Sequence, residues 1–229
     1  MDYFRRANER GHAHHGWLNS FHSFSFASYY DPSHMGISVL RVINDDTVAG
    51  GAGFGAHGHD DMEIISYVLE GSIEHRDSMG HVSVLKAGEV QRMSAGTGVR
   101  HSEYNPSPKM PLHFLQIWIL PKKKSVKPSY EQKFIEQTST LTPLVTPNGK
   151  NGSLTINQDA GIYRLELKAA QKHNFKRNHR TGYLHILSGS ARINETLVAK
   201  GDGIGLTSAA ELNLTASTEG LQALWFDLP

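Results

Sequence analysis

Cysteine is absent from the 229 residues. That excludes disulfides, a thiolate nucleophile and any metal site built on sulfur. An excess of one charge is lacking too, since 23 Lys and Arg face 22 Asp and Glu, a formal net charge of +1. Such a balanced chain has no broad phosphate-neutralising surface, so no direct nucleic-acid partner is expected. No apolar run is long enough for a membrane span, and the charged N-terminus MDYFRRANERGH lacks the apolar stretch of a secretory signal. Together these absences fit a cytoplasmic protein with no membrane partner. Long amphipathic helical patterns are also missing.

What is present reads as strand. ISVLRVIND, EIISYVLEG, LHFLQIWIL, YRLELK, YLHILSGSARI and LQALWFDL are short and rich in β-branched and aromatic residues, with Gly, Pro, Asn or Asp at their ends. The expectation is an all-β fold of sandwiches or barrels. A weak internal repeat refines it. SYVLEGSIEH followed by VLKAGEVQRMSA resembles LHILSGSARI followed by LVAKGDGIGLTSA, each reading strand, Gly turn, strand, turn, strand. Two copies of one β module account for the length. Between them, PKKKSVKPSYEQKF (residues 121–134) is basic, holds two prolines and reads as a solvated linker rather than a nuclear-import signal. The expected domains are residues 1–125 and 126–229.

Histidine is the compositional oddity, at 14 residues. His57 and His59 stand two apart in GAGFGAHGHDDMEIISYVLEG, and His101 and Glu103 stand two apart in AGEVQRMSAGTGVRHSEYNPS. In a strand, residues i and i+2 share a face. If two such strands face each other inside a barrel, three imidazoles and one carboxylate converge. A single His-x-His pair proves little, as His12 and His14 illustrate, but two pairs beside Gly-rich turns are harder to attribute to chance. The set suits Fe(II), Mn, Co, Ni, Cu or Zn, and on a six-coordinate ion it leaves two positions open. In the second repeat, the positions matching His57, His59, His101 and Glu103 are Phe175, Arg177, Leu214 and Ala216. One metal per chain, in the first module, is therefore expected.

These segments resemble the two cupin motifs. GWLNSFHSFSFASYYDP, GFGAHGHDDMEIISYVLEG and MSAGTGVRHSEYNPS together resemble the pirin family, near the bacterial pirin-like quercetin 2,3-dioxygenases. The resemblance is dense over about residues 10 to 120 and thinner beyond. It implies a bicupin of two jelly-roll-type β-sandwich barrels, with ligands His57, His59, His101 and Glu103. Glu63 lies one residue out of register with the motif-one glutamate of other cupins and reads as structural or as a neighbour of the ligands, with direct contact to the metal as the lesser alternative. The aromatic segment WLNSFHSFSFASYYDP reads as an edge strand that packs on the barrel and partly lines a pocket mouth. AGTGVR does not lead from a strand into a helix, so it is no phosphate cradle.

The implied activity is flavonol 2,3-dioxygenation of quercetin with O₂, releasing carbon monoxide. Glu103 would serve as both ligand and catalytic base, and Fe(II) is favoured over the other metals. Since ligating imidazoles must be neutral, metal affinity is expected to fall below about pH 6.5. The alternative is a non-catalytic, metal- or redox-dependent regulator that binds a transcription factor or metabolic enzyme. A purely structural zinc site ranks last without cysteine. Two fused modules can pair internally, so a monomer is expected.

Overall fold

The structure is a computed structural model and describes residues 2–229. The first half of the chain forms β1 (Tyr3–Arg5), β2 (Gly11–His14), β3 (Leu18–His22), β4 (Leu40–Val48), β5 (Gly53–His59) and β6 (Glu63–Glu70). It continues through β7 (Ser72–Asp77), β8 (Val82–Lys86), β9 (Glu89–Ser94), β10 (Val99–Tyr104), β11 (Leu112–Ile119) and β12 (Ser129–Phe134). The second half forms β13 (Leu141–Thr146), β14 (Leu154–Thr155), β15 (Gly161–Leu167), β16 (Lys172–Lys176), β17 (Thr181–Ile193), β18 (Thr196–Ala199), β19 (Gly203–Leu206) and β20 (Glu211–Leu228). Among the described residues the only helices are the single 3₁₀ turns Ala7–Glu9 and Lys150–Gly152. The chain is all-β.

Three sheets result. A seven-stranded sheet runs β12-β9-β6-β11-β4-β3-β2, and a four-stranded sheet, β5-β10-β7-β8, completes the first barrel. A nine-stranded sheet, β1-β19-β17-β20-β15-β13-β14 with β16 on β20 and β18 on β17, forms the second barrel. The repeat read from sequence is visible in the turns. Gly71 and Gly189 have φ of 78° and 71°, while Gly88 and Gly201 have 82° and 84°, a left-handed backbone that glycine adopts without strain. The sheets also exchange strands. β1 pairs with β19, setting Tyr3 opposite Gly205, and β12 pairs with β9, setting Ser129 opposite Ser94. A cut after residue 125 therefore separates β12 from the rest of the seven-stranded sheet and β1 from the rest of the nine-stranded sheet.

Period-two patterning explains the layers. In β6, Ile65 and Tyr67 join a core shared with the second barrel, where Tyr183, Leu224, Phe226 and Leu228 meet them. Ile64 and Val68 point the other way, into the first barrel. In β11, Leu115, Ile117 and Ile119 face the shared core while Phe114 and Trp118 face inward. The inner face is not wholly apolar. Ser66, Gln91, Asn44, Asp46 and Gln116 form a buried polar band between apolar clusters. Such a band is costly unless its groups find partners.

The second barrel has no such band at the corresponding place. Phe175 stacks on Trp225 at 3.8 Å, and Leu214 and Ala216 are buried in the same apolar cluster.

Candidate metal centre

His57 and His59 lie on β5, and His101 and Glu103 on β10, as their spacing predicts. The two strands do not face each other across the barrel. They are hydrogen-bonded neighbours in the four-stranded sheet, with His101 opposite His57. An irregularity between His101 and Glu103 shifts the register, so that Glu103 pairs with Phe54. Gly53 permits this close approach, because a Cβ there would clash with the Glu103 carbonyl.

The imidazoles form a triangle, with ring centroids 4.8 Å apart for His57 and His59, 4.5 Å for His57 and His101, and 5.0 Å for His59 and His101. One donor atom from each lies within 4.8 Å of the others. His57 Nδ1 donates to the Gly55 carbonyl at 2.8 Å, which leaves Nε2 as the ring's lone-pair nitrogen. His59 Nε2 and His101 Nε2 face each other at 3.1 Å. Two nitrogens bound at right angles about 2.1 Å from one ion would lie about 3 Å apart, so this corner has the spacing of a metal site.

Glu103 belongs to a second donor group with His101 and His75. His101 is the residue common to both groups. The Glu103 carboxylate is buried, and accepts hydrogen bonds from Gln116 Nε2 at 2.8 Å, Ser66 Oγ at 3.1 Å and Gln91 Nε2 at 3.4 Å. Those donors come from the polar band and fix the carboxylate in place.

Burial is the main reason that His59 and His101 stay neutral. It pushes the His59 pKa down to about 4, with the charges of His101 and His57 adding, and the His101 pKa down to about 3, with His57 and His75 adding. At these two rings, proton competition for a metal therefore begins below the 6.5 expected of an ordinary imidazole.

Sequence reasoning passed over His75 and Asp77, although HisArgAsp has the same i,i+2 spacing as the other pairs. His75 sits opposite Glu103 in the β7–β10 pairing, and its Nε2 bonds to Asp77 Oδ2 at 3.1 Å. Nδ1 is buried without a partner. Asp77 also binds His81 Nδ1 at 2.9 Å. Burial raises the Asp77 pKa, but the bonds from His75 and His81 outweigh it and leave the pKa lowered. This is the carboxylate–histidine pairing that orients rings around metals. Glu63 stands apart from both donor groups and accepts from Ser94 Oγ at 2.8 Å and the Asn157 amide at 3.3 Å.

A cavity of about 180 Å³ opens onto this corner. Phe26, Phe54 and Trp118 give it apolar walls, with Trp118 set edge-on to His59 at 5.0 Å. Phe26 to Ser28 contribute lining from the aromatic N-terminal segment. A larger, shallow polar groove of about 910 Å³ runs past Thr138, Lys168 and Gln222 in the second half of the chain, but no histidine lines it. Size alone does not locate the chemistry.

A histidine–carboxylate corner in one β-barrel, fused to a second barrel with an apolar interior, defines a bicupin. Residues 3–119 match the family described as Pirin, and residues 143–228 match the Quercetinase C-terminal cupin domain. The chain belongs to the pirin family. It is 46% identical over 230 residues to Quercetin 2,3-dioxygenase of Escherichia coli (strain K12), covering 100% of this chain and 99% of that protein. It is 41% identical over 211 residues to a Pirin-like protein of Caulobacter vibrioides, covering 90% of each. The crystal structure of bacterial pirin YhhW from E. coli in complex with nickel(II) superposes with a TM-score of 0.95 at 45% identity, over 99% of this chain and 98% of that one. Among the described residues, no helix is long and apolar enough to cross a membrane.

Proposed function

We propose that this protein is a metal-dependent flavonol 2,3-dioxygenase, which opens the ring of quercetin with O₂ and releases carbon monoxide. His57, His59, His101 and Glu103 hold the metal, and Fe(II) is favoured because the set adds one histidine to the facial triad of non-haem iron oxygenases. The observation that supports the reading is the cluster of His57, His59 and His101 nitrogens, with the buried Glu103 carboxylate grouped with His101, beside one aromatic-walled cavity. The full-length likeness to a relative named Quercetin 2,3-dioxygenase supports the choice of reaction.

Bound at this corner, the metal supplies Lewis acidity that lowers the pKa of a substrate hydroxyl, together with the redox chemistry that O₂ requires. The protein does the rest. Glu103, an acceptor held by Gln116, Ser66 and Gln91, takes the hydroxyl proton. Phe26, Phe54 and Trp118 pack on the planar rings and exclude water. His57, with its tautomer set by the Gly55 carbonyl, keeps the geometry of the corner.

Aerobic turnover of quercetin with carbon monoxide detection tests this, using metal-free protein reloaded separately with Fe(II), Mn, Co, Ni, Cu and Zn. Ring cleavage that depends on metal and is lost in His57→Ala and Glu103→Ala is the expected result. Tight metal binding with no turnover under any metal would instead favour the regulator. A finer expectation concerns Gln116→Leu, which removes the shortest hydrogen bond to Glu103. It should lower kcat about 10-fold with the metal still bound. An unchanged kcat would remove Gln116 from the orienting role.

A further inference from the structure

The histidine corner forms only part of the cavity. Another wall comes from three adjacent strands, β3, β4 and β11, whose alternate residues line it: Ser20 and His22, Asn44 and Asp46, Gln116 and Trp118. Several of these polar groups satisfy one another. His22 Nδ1 pairs with Asn44 Oδ1 at 2.8 Å, and Gln116 Nε2 donates to Glu103.

Trp118 Nε1, a donor, and Asp46, an acceptor, are the exceptions. Asp46 is only 4% exposed, it lines the cavity, and its Oδ1 is buried without a hydrogen-bond partner among the described residues. Buried acceptors in folded proteins are nearly always paired, so one left open in a ligand cavity calls for a ligand group. Burial, with the charges of Asp45 and Glu103 adding and the Ser20 hydroxyl opposing, pushes this carboxyl up to about 7. An open acceptor buried in this wall suits a ligand that carries hydroxyls.

We propose that Asp46 is a specificity-determining residue of this pocket: its unpartnered Oδ1 accepts a hydrogen bond from a second hydroxyl of an aromatic substrate, distinct from the hydroxyl that reaches the histidines. The protein thereby selects polyhydroxylated phenolic compounds over those with a single hydroxyl. This rests on the flavonol reading of the same site and names the feature by which a flavonol is chosen. A pocket built to pair a hydroxyl rejects an analogue without it, because its own buried acceptor is then left unpaired.

The test is anaerobic equilibrium binding of two probes to metal-reconstituted protein, alongside aerobic turnover of both. The probes are quercetin and 3-hydroxyflavone, which keeps only the 3-hydroxyl. Wild type is expected to bind quercetin at least about 10-fold more tightly, and Asp46→Val should bring the ratio to within about 3-fold through loss of quercetin affinity. Asp46→Asn, which keeps a carbonyl acceptor, should retain part of the preference. Asp46→Ser reads the same ratio if the valine variant does not fold. An unchanged ratio in a folded, metal-loaded Asp46→Val or Asp46→Ser protein overturns the proposal, as does a wild type that does not discriminate. The outcomes separate it from the reaction assigned above. A collapsed ratio without turnover under any metal keeps Asp46 and sinks the dioxygenase, whereas turnover with an unchanged ratio does the reverse. Binding of neither probe sinks both.

Discussion

His101→Ala is expected to strip the protein of its metal and to lower quercetin turnover by at least about 10³-fold. His101 is the residue on which both donor groups converge, one with His57 and His59 and the other with His75 and Glu103. It is 2% exposed, so no water can readily replace the lost nitrogen without filling the space left by the ring. Residues that only orient a ligand typically cost about 10 to 100-fold in affinity or activity when removed. Deleting a shared donor should cost more. Ser102→Ala, one residue along β10 and outside both donor groups, is the matched control and should bind metal as wild type does. Metal content by atomic absorption and kcat/KM on reloaded protein give the answer. An alanine variant that retains one metal per chain, with turnover within about 3-fold of wild type, would dismantle the assigned ligand set.

The second large effect concerns stability and pH, and it centres on His185. This residue on β17 is buried, its Nδ1 has no partner, and it lies near Arg10 and Asp45. Burial first, and the positive charge of Arg10 second, push its pKa down from 6.5 to about 4. Between those values the unfolded chain carries a proton on this ring and the folded protein does not. Stability from this group is therefore complete above about pH 6.5 and declines as pH falls towards 4, by about 3 kcal/mol in all. His185→Leu carries no titrating ring, so its loss of stability between pH 7 and 4.5 should be smaller than that of wild type by most of this amount. Urea unfolding at several pH values measures the difference. Parallel pH profiles for the two proteins would show that His185 does not contribute to acid sensitivity.

Much of the site could be read in the sequence because strand periodicity is local. His57 with His59, and His101 with Glu103, reveal a shared face by spacing alone, and the glycines around them mark where strands turn. The rest of the pocket is not local. Ser66, Gln91 and Gln116 come from three strands and look, in isolation, like ordinary polar residues in apolar surroundings. Only pairing in the seven-stranded sheet places them around Glu103. Asp45 and Asp46 make the point most sharply. They are neighbours in the chain, yet Asp45 binds Arg10 at 3.0 Å and His113 at 2.6 Å, while Asp46 lines the cavity. Which aspartate goes where is decided by the register of β4, which no property of the two residues reveals. The fold was legible to a similar depth. The strands and the duplicated module were visible, but β1 and β12 are short and charged, and their places depend on partners elsewhere in the chain.

Those two strands bear on how the molecule assembles during synthesis. Translation delivers β1 long before its partner β19, and Tyr3 must wait for Gly205. Until then the growing chain holds an unpaired strand edge while the first barrel, with its histidine corner, closes locally. β12 works in the opposite direction, tying the start of the second half to β9 before the second barrel exists. The pairing of β1 with β19 has a long loop to close and is intrinsically slow. The barrels are thus laced together in time as well as in space, and the second is finished only with a strand made before the first.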